Sequence, residues 1–284
     1  MNVFTRHLLN KGHNIKLYDI DGSRSRALAE EFDCQWFDSI ATAVSGVDMT
    51  LLCTPIKETP GVIRDIASNI RQGSILCEVS SLKMRTVAAL KKLGDHVRSL
   101  SIHPMFGPDV STFQGQTMVV VPVSDRDEEV ALVESLFGDM NILVADVETH
   151  DRVMASVLAL PYFMNLAFAS TLSVKDLALM RKMAGTTFTV QLAVAQSIVG
   201  ESPELIESII NEDVFSMGYV NRFIDECRHL RRLLKKGPRA MGRLCQGLRE
   251  RMMDDVEYGD ARRIRNEFLI SLRTQSPAVE KRLG

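Results

Sequence analysis

Short apolar runs rich in β-branched residues alternate with amphipathic stretches through the first half of the chain. The runs are "NIKLYD" (14–19), "MTLLCT" (49–54), "SILCEV" (74–79), "VRSLSI" (97–102), "TMVVVPV" (117–123) and "NILVADV" (141–147). Between them lie "GSRSRALAEEF", "ETPGVIRDIASNI", "SLKMRTVAALKKLG" and "DRDEEVALVESLFG", whose apolar residues recur at helical spacing. Strands alternating with helices of this length predict βαβ units and a largely parallel sheet. Gly12 and Gly94 fall where a helix should end in a left-handed residue. After Thr149 no strand-like run is evident, and helical spacing continues with breaks near Gly185, Gly200–Pro203, Gly237–Pro238 and Gly259. The expected architecture is α/β: a Rossmann-like, mostly parallel sheet domain over residues 1–148, then an all-helical domain over 149–284.

The opening "NVFTRHLLNKG" has the pattern of a helix body, and "IKLYD" follows it as a strand closed by Asp19. In a dinucleotide-binding fold these are the first helix and second strand, with an acidic residue placed for the adenosine ribose. The preceding strand and its Gly-rich turn, which bring backbone N–H groups to the pyrophosphate, are not in the sequence. In the strand order 3-2-1-4-5-6 that strand lies in the middle, and its loss leaves unpaired backbone groups at about 1–3 kcal/mol each. The expectation is a start roughly fifteen to twenty residues upstream; the alternative is a domain that has lost its cofactor site.

Composition narrows the class of protein. A chain of 284 residues, 45% hydrophobic and 25% charged, is ordinary for a two-domain globular protein. A formal net charge of −2 points to neither nucleic acid nor an acidic membrane as partner. Cys34, Cys53, Cys77, Cys227 and Cys245 form no CxxC pair, which fits reduced thiols in a cytoplasm better than a disulfide framework or a metal site. The Arg- and Lys-rich stretch 228–251 reads as a solvated helical face, since "DDVEYGD" follows it and aromatics are sparse. Residues 153–174, "VMASVLALPYFMNLAFASTLSV", lack any charge over the length of a membrane span. Pro161, Asn165 and several Ser/Thr favour a helix covered inside the helical domain or in a homodimer interface.

Candidate chemistry sits in "SIHPMFGPDVSTFQGQTMVVVP" (101–122), where His103 stands at the mouth of a loop between two apolar runs. A histidine outside a strand's carboxyl end, beside Gly107 and Pro108, is where open α/β sheets bind ligands. "HPMFGP" after a strand, "EVSSLK" one strand earlier and "VETHDR" opening the helical half together resemble the prephenate and arogenate dehydrogenases of tyrosine biosynthesis. The archaeal-type members are most similar, and the resemblance is strongest over 14–175.

The resemblance implies an NAD-dependent oxidative decarboxylation of prephenate to 4-hydroxyphenylpyruvate. His103 matches the family's catalytic histidine, which accepts the proton of the ring hydroxyl while hydride leaves for the nicotinamide. Ser81 matches the active-site serine that hydrogen-bonds between substrate, histidine and nicotinamide, and Lys83 shares its motif. Cys53, Thr54 and Pro55 match the strand end whose backbone lines the cofactor. An imidazole with an ordinary pKa near 6.5 suits the base role. Asp19 favours NAD by repelling a 2′-phosphate, while Arg24 and Arg26 leave NADP open. Structural roles stand beside these: Ser81 as cap of a helix starting at Leu82, and His150 with Asp151 as caps of the long helix.

The chain also departs from the family. Ser197 stands where many members carry an arginine for a substrate carboxylate, and Ala159 and Tyr162 where many carry a histidine. Lys175, Arg181 and Arg222 are the replacement cations available in sequence. Two other functions therefore stay open: a related dehydrogenase acting on arogenate or another small carboxylic acid, and a non-catalytic homologue that senses a ligand.

Overall fold

The computed structural model describes residues 2–107, 110–172, 176–252 and 260–274. It resolves into two compact units. One is the chain up to Ala155 together with Glu207–Val214; the other is Ser156–Ile206 and the chain from Phe215 onward.

The first unit is a βα array. Helix α1 (Asn2–Asn10) leads to β1 (Lys16–Leu17), α2 (Gly22–Phe32), β2 (Gln35–Trp36) and α3 (Ile40–Val44). Then come β3 (Met49–Leu52), α4 (Thr59–Ile66), β4 (Ile75–Glu78), α5 (Met84–Lys91) and β5 (Arg98–Pro104). After these run β6 (Thr117–Val120), α6 (Arg126–Phe137), β7 (Asn141–Val144) and α7 (Val147–Met154). The sheet order is β3-β4-β5-β6-β7, parallel at every pairing except β5 with β6. The α/β class anticipated from periodicity is the one observed.

Alternation along the strands sorts side chains to two faces. Leu76, Val119 and Val121 pack with Ile63 and Ile66 of α4 and Val87 and Leu90 of α5. Their neighbours Cys77, Met118 and Val120 turn to the opposite face, against Phe4 of α1 and Val133 and Phe137 of α6. There Phe4 meets Phe113 and Phe137 edge-on at 5.2 and 5.7 Å. Gly12 and Gly94 adopt φ +84° and +55°, which only glycine accepts without strain, and close α1 and the turn after α5.

The described strands fall into two sheets, β1-β2 and β3-β4-β5-β6-β7. β1 pairs only with β2, and β3 only with β4, so each keeps one edge without a strand partner among the described residues. The lobe of β1, β2 and α2 accordingly has its own small core of Leu17, Leu28 and Ala29. The apolar run 14–19 yields just two residues of strand, Lys16–Leu17. β2 and α3 were not visible in the apolar pattern, being two and five residues long.

The second unit is helical: α8 (Leu160–Thr171), α9 (Leu177–Lys182), α10 (Thr186–Val199), α11 (Pro203–Asn211, shared with the first unit), α12 (Ser216–Leu234), α13 (Pro238–Met252) and α14 (Ala261–Thr274). Gly185 and Gly200 bound α10, and Gly237 at φ +80° separates α12 from α13. Gly259 lies outside the described residues. Helix α7 passes through a π-helical turn, Ala155–Ala159, into α8. Pro161 supplies the cause: it has no N–H to donate one turn back, and its ring crowds that carbonyl. Asn165, buried in α8, donates to Pro161 O at 2.9 Å and accepts from Gln191 of α10 at 2.6 Å. The continuous helical stretch Val147–Thr171 is long and apolar enough to cross a membrane, and 22% of its apolar window is buried within the chain.

Candidate active site

Strand register assembles the candidate residues. Leu52 pairs with Glu78, and Glu78 with Ser101, all in parallel. Two residues further along each strand, Thr54, Ser80 and His103 therefore stand level at the carboxyl edge. His103 belongs to β5 itself rather than to the loop expected from sequence, with its Cα opposite Val119 of β6. The ring is 5% exposed.

The imidazole is held by a chain of two further side chains. His103 Nδ1 lies 3.0 Å from His150 Nε2, and His150 Nδ1 lies 2.7 Å from Asp151 Oδ1. Asp151 also accepts from two backbone donors, Lys83 N–H at 2.9 Å and Met84 N–H at 2.8 Å. A carboxylate so used is an acceptor, so His150 donates to it from Nδ1. His103 turns its Nδ1 to His150, so Nε2 is the ring nitrogen directed elsewhere. The chain thus fixes the orientation of the His103 ring. Burial pushes the His103 imidazole well below its ordinary range, with the Lys83 cation and then His150 adding to the effect.

These contacts correct two expectations. α5 starts at Met84 rather than at Leu82, and Ser81 gives it no side-chain cap; its first donors go to Asp151. α7 is capped by Asp146, which accepts from Thr149 N–H at 2.9 Å, so Asp151 serves another helix than its own. Ser81 is half-buried in the turn after β4, and no hydrogen bond joins it to His103 among the described residues.

Beneath the edge lies a fully buried ion pair, Lys83 Nζ to Glu78 Oε1 at 2.7 Å. Lys83 also donates to Ile102 O at 2.6 Å. Glu78 further accepts from Ser80 N–H at 2.8 Å and from the Ser101 hydroxyl. Ser80 donates on to Thr59 at 3.1 Å, and Thr59 bonds the Thr54 hydroxyl at 2.8 Å. Thr59 also donates to Pro55 O at 3.0 Å. A hydroxyl network thus braces the Cys53–Pro55 strand end. Asp19 lies two residues beyond β1 and accepts from Asp21 N–H at 2.8 Å, opening α2, whose cap is Asp21.

Other candidates belong to the second unit or lie outside the described residues. Arg181 and Arg222 are exposed on α9 and α12, and Lys175 and Pro108 lie outside the described residues. Ser197 is exposed on α10; Tyr162 is half-buried on α8, where burial raises its phenol and the charge of Glu201 adds to this. Ala159 is buried. Sequence reasoning assigned no role to Glu78, Ser80, Thr59 or Ser101. The available signal was Glu78 itself, a charge inside an otherwise apolar parallel strand. No group of three or more metal-ligating side chains occurs among the described residues.

Comparison with known proteins gives a consistent result. A family model described as "Prephenate dehydrogenase, nucleotide-binding domain" matches residues 4–145, and one described as "Prephenate dehydrogenase, dimerization domain" matches 146–250. A "Probable arogenate/prephenate dehydrogenase" of Methanocaldococcus jannaschii is 24% identical over 83% of this chain and 54% of its own length. This chain therefore spans about half of that relative. A 4-amino-4-deoxyprephenate dehydrogenase of Streptomyces pristinaespiralis is 25% identical over 72% of this chain and 70% of its own. Among solved structures, prephenate dehydrogenase from Aquifex aeolicus, in complex with hydroxyphenyl propionate and NAD+, aligns with TM-score 0.71 and 19% identity. That alignment covers 89% of this chain and 94% of the other, and likeness at this identity shows the fold.

Proposed function

This chain belongs to the prephenate dehydrogenase family, and from that premise we propose that it oxidises prephenate with NAD, releasing carbon dioxide and 4-hydroxyphenylpyruvate. The observation that carries this reading is the His103–His150–Asp151 hydrogen-bond chain, which orients the His103 ring at the carboxyl edge of the sheet.

The described residues fit part of a dinucleotide. The Asp19 carboxylate suits an adenosine ribose and disfavours a 2′-phosphate, so NAD is preferred over NADP. The braced Cys53–Pro55 turn suits the nicotinamide end. The turn that would cradle the pyrophosphate is not among the described residues. When bound, the nicotinamide supplies the hydride acceptor. His103 takes the proton of the ring hydroxyl, and its low proton affinity keeps it neutral and ready at neutral pH. Ser81, at the turn beside it, orients that hydroxyl. The dienone so formed loses its ring carboxylate as the ring becomes aromatic, which leaves the protein mainly to align the partners.

In this reading residues 1–148 bind the dinucleotide, and 149–284 bind substrate and form a cytoplasmic homodimer. The dimerization-domain match and the mostly uncovered apolar helix support the pairing. A second substrate reading rests on Ser197 and on Ala159 and Tyr162, at positions where the family resemblance leads one to expect an arginine and a histidine. Without a guanidinium at 197, arogenate or 4-amino-4-deoxyprephenate competes with prephenate as the preferred ring acid.

Turnover of these three acids with NAD, followed by NADH absorbance, tests the proposal. Prephenate should be oxidised fastest, and His103→Asn should lower the rate by about 10²–10⁴-fold. Undiminished turnover in His103→Asn removes the base assignment, and faster oxidation of an amino-bearing acid replaces the substrate.

A further inference from the structure

Two charges with no contact to solvent sit directly under the catalytic edge, and the proposed chemistry uses neither. Lys83 and Glu78 are both fully buried. Replacing such a pair by apolar residues is often neutral or stabilising, so packing alone does not explain it. Its contacts do. Glu78 accepts from Ser80 N–H, next to Ser81, and from the Ser101 hydroxyl, two residues before His103. Lys83 donates to the carbonyl of Ile102, the residue before His103. Each of these three bonds ends on a residue within two positions of Ser81 or His103.

We propose that Glu78 is a positioning residue of this site: paired with Lys83, it fixes the turn carrying Ser81 against the end of β5 and balances the lysine charge beside His103. The inference rests on the reading of His103 as the base. Four charged or titratable groups surround that ring within the first unit. Glu78 comes from β4, Lys83 from the turn before α5, and His150 and Asp151 from α7; the residue opposite on β6, Val119, is apolar. Left unbalanced, the lysine would weaken the base further, because a nearby cation disfavours imidazolium. Glu78 is the carboxylate in direct contact with that lysine, and so sets how much of its charge His103 feels.

The test follows the His103 ring resonance through a pH titration in the full chain, which requires no turnover, beside kcat and KM. Glu78→Gln should move the His103 midpoint down and Lys83→Met should move it up, each by about one pH unit. The double variant should return it near the starting value. In kinetics Glu78→Gln should lower kcat by about 10–100-fold with KM changed less than about threefold, the pattern of lost alignment rather than lost binding. If Glu78→Gln fails to fold, Lys83→Met and the double variant carry the titration. Midpoints that stay fixed, or shift in the same direction in every variant that folds, while melting temperatures fall, overturn the proposal and leave a purely structural pair. Absence of turnover in the unsubstituted protein, with the expected shifts present, removes the proposed reaction and keeps the positioning role.

Discussion

Asp151 joins two helices to one histidine: its Oδ1 takes the His150 Nδ1 proton at 2.7 Å and the Lys83 N–H at 2.9 Å, while its Oδ2 takes the Met84 N–H. One carboxylate thus caps α5 and orients the ring that orients His103. Asp151→Asn keeps the size and removes the charge, and its amide can present a donor to His150 where the carboxylate presents only acceptors. The expected result is a fall in kcat of at least about tenfold with loss of about 1–3 kcal/mol of stability from the weakened cap. Stopped-time assays and urea unfolding measure both. An unchanged kcat beside a lowered stability would leave Asp151 as a helix cap only.

Acid should destabilise the fold through His103. Its proton affinity is lowered in the folded chain, so below the unfolded value of about 6.5 the unfolded state binds the proton more readily. Stability contributed by the neutral ring is complete above that pH and declines as pH falls toward the lower folded value. A His103→Gln variant should show a flatter acid limb in the melting temperature. Parallel limbs in both proteins would mean that other groups govern acid unfolding.

Two sheet edges make a prediction about cofactor. Among the described residues β1 and β3 each keep one edge without a strand partner, and these edges can be probed by fusing a parallel strand and a Gly-rich turn ahead of Asn2. Such an extended chain should bind NADH more tightly than residues 1–284, read by the change in nicotinamide fluorescence, and melt at a higher temperature. In it, Asp19→Ala should reduce the preference for NAD over NADP by about tenfold. Unchanged selectivity would detach Asp19 from the ribose.

Pairing of two copies should depend on the apolar helix. Val157 and Met164 are 51% and 38% exposed within one chain, a costly arrangement unless a partner covers them. Val157→Glu combined with Met164→Glu should convert a dimer to a monomer in sedimentation velocity. A mass that is the same before and after substitution would place the interface elsewhere.

Local pattern determined much of this protein. The period-two and helical runs specify the βα array and the helical second half, because burial on two faces of a sheet or one face of a helix leaves a periodic trace. The family resemblance, carried by "HPMFGP" and "EVSSLK", singled out His103 and Ser81 as candidates. Tertiary structure alone decided what surrounds them. His150 reaches His103 across 47 residues, Asp151 reaches Lys83 across 68, and Ser101 reaches Glu78 across 23. Such contacts form where strand register and helix docking bring distant segments to one edge, and no local periodicity records which polar side chain will meet which. A cap assigned to its own helix was therefore found serving another, and the charge inside β4 acquired its meaning only when a lysine was folded against it.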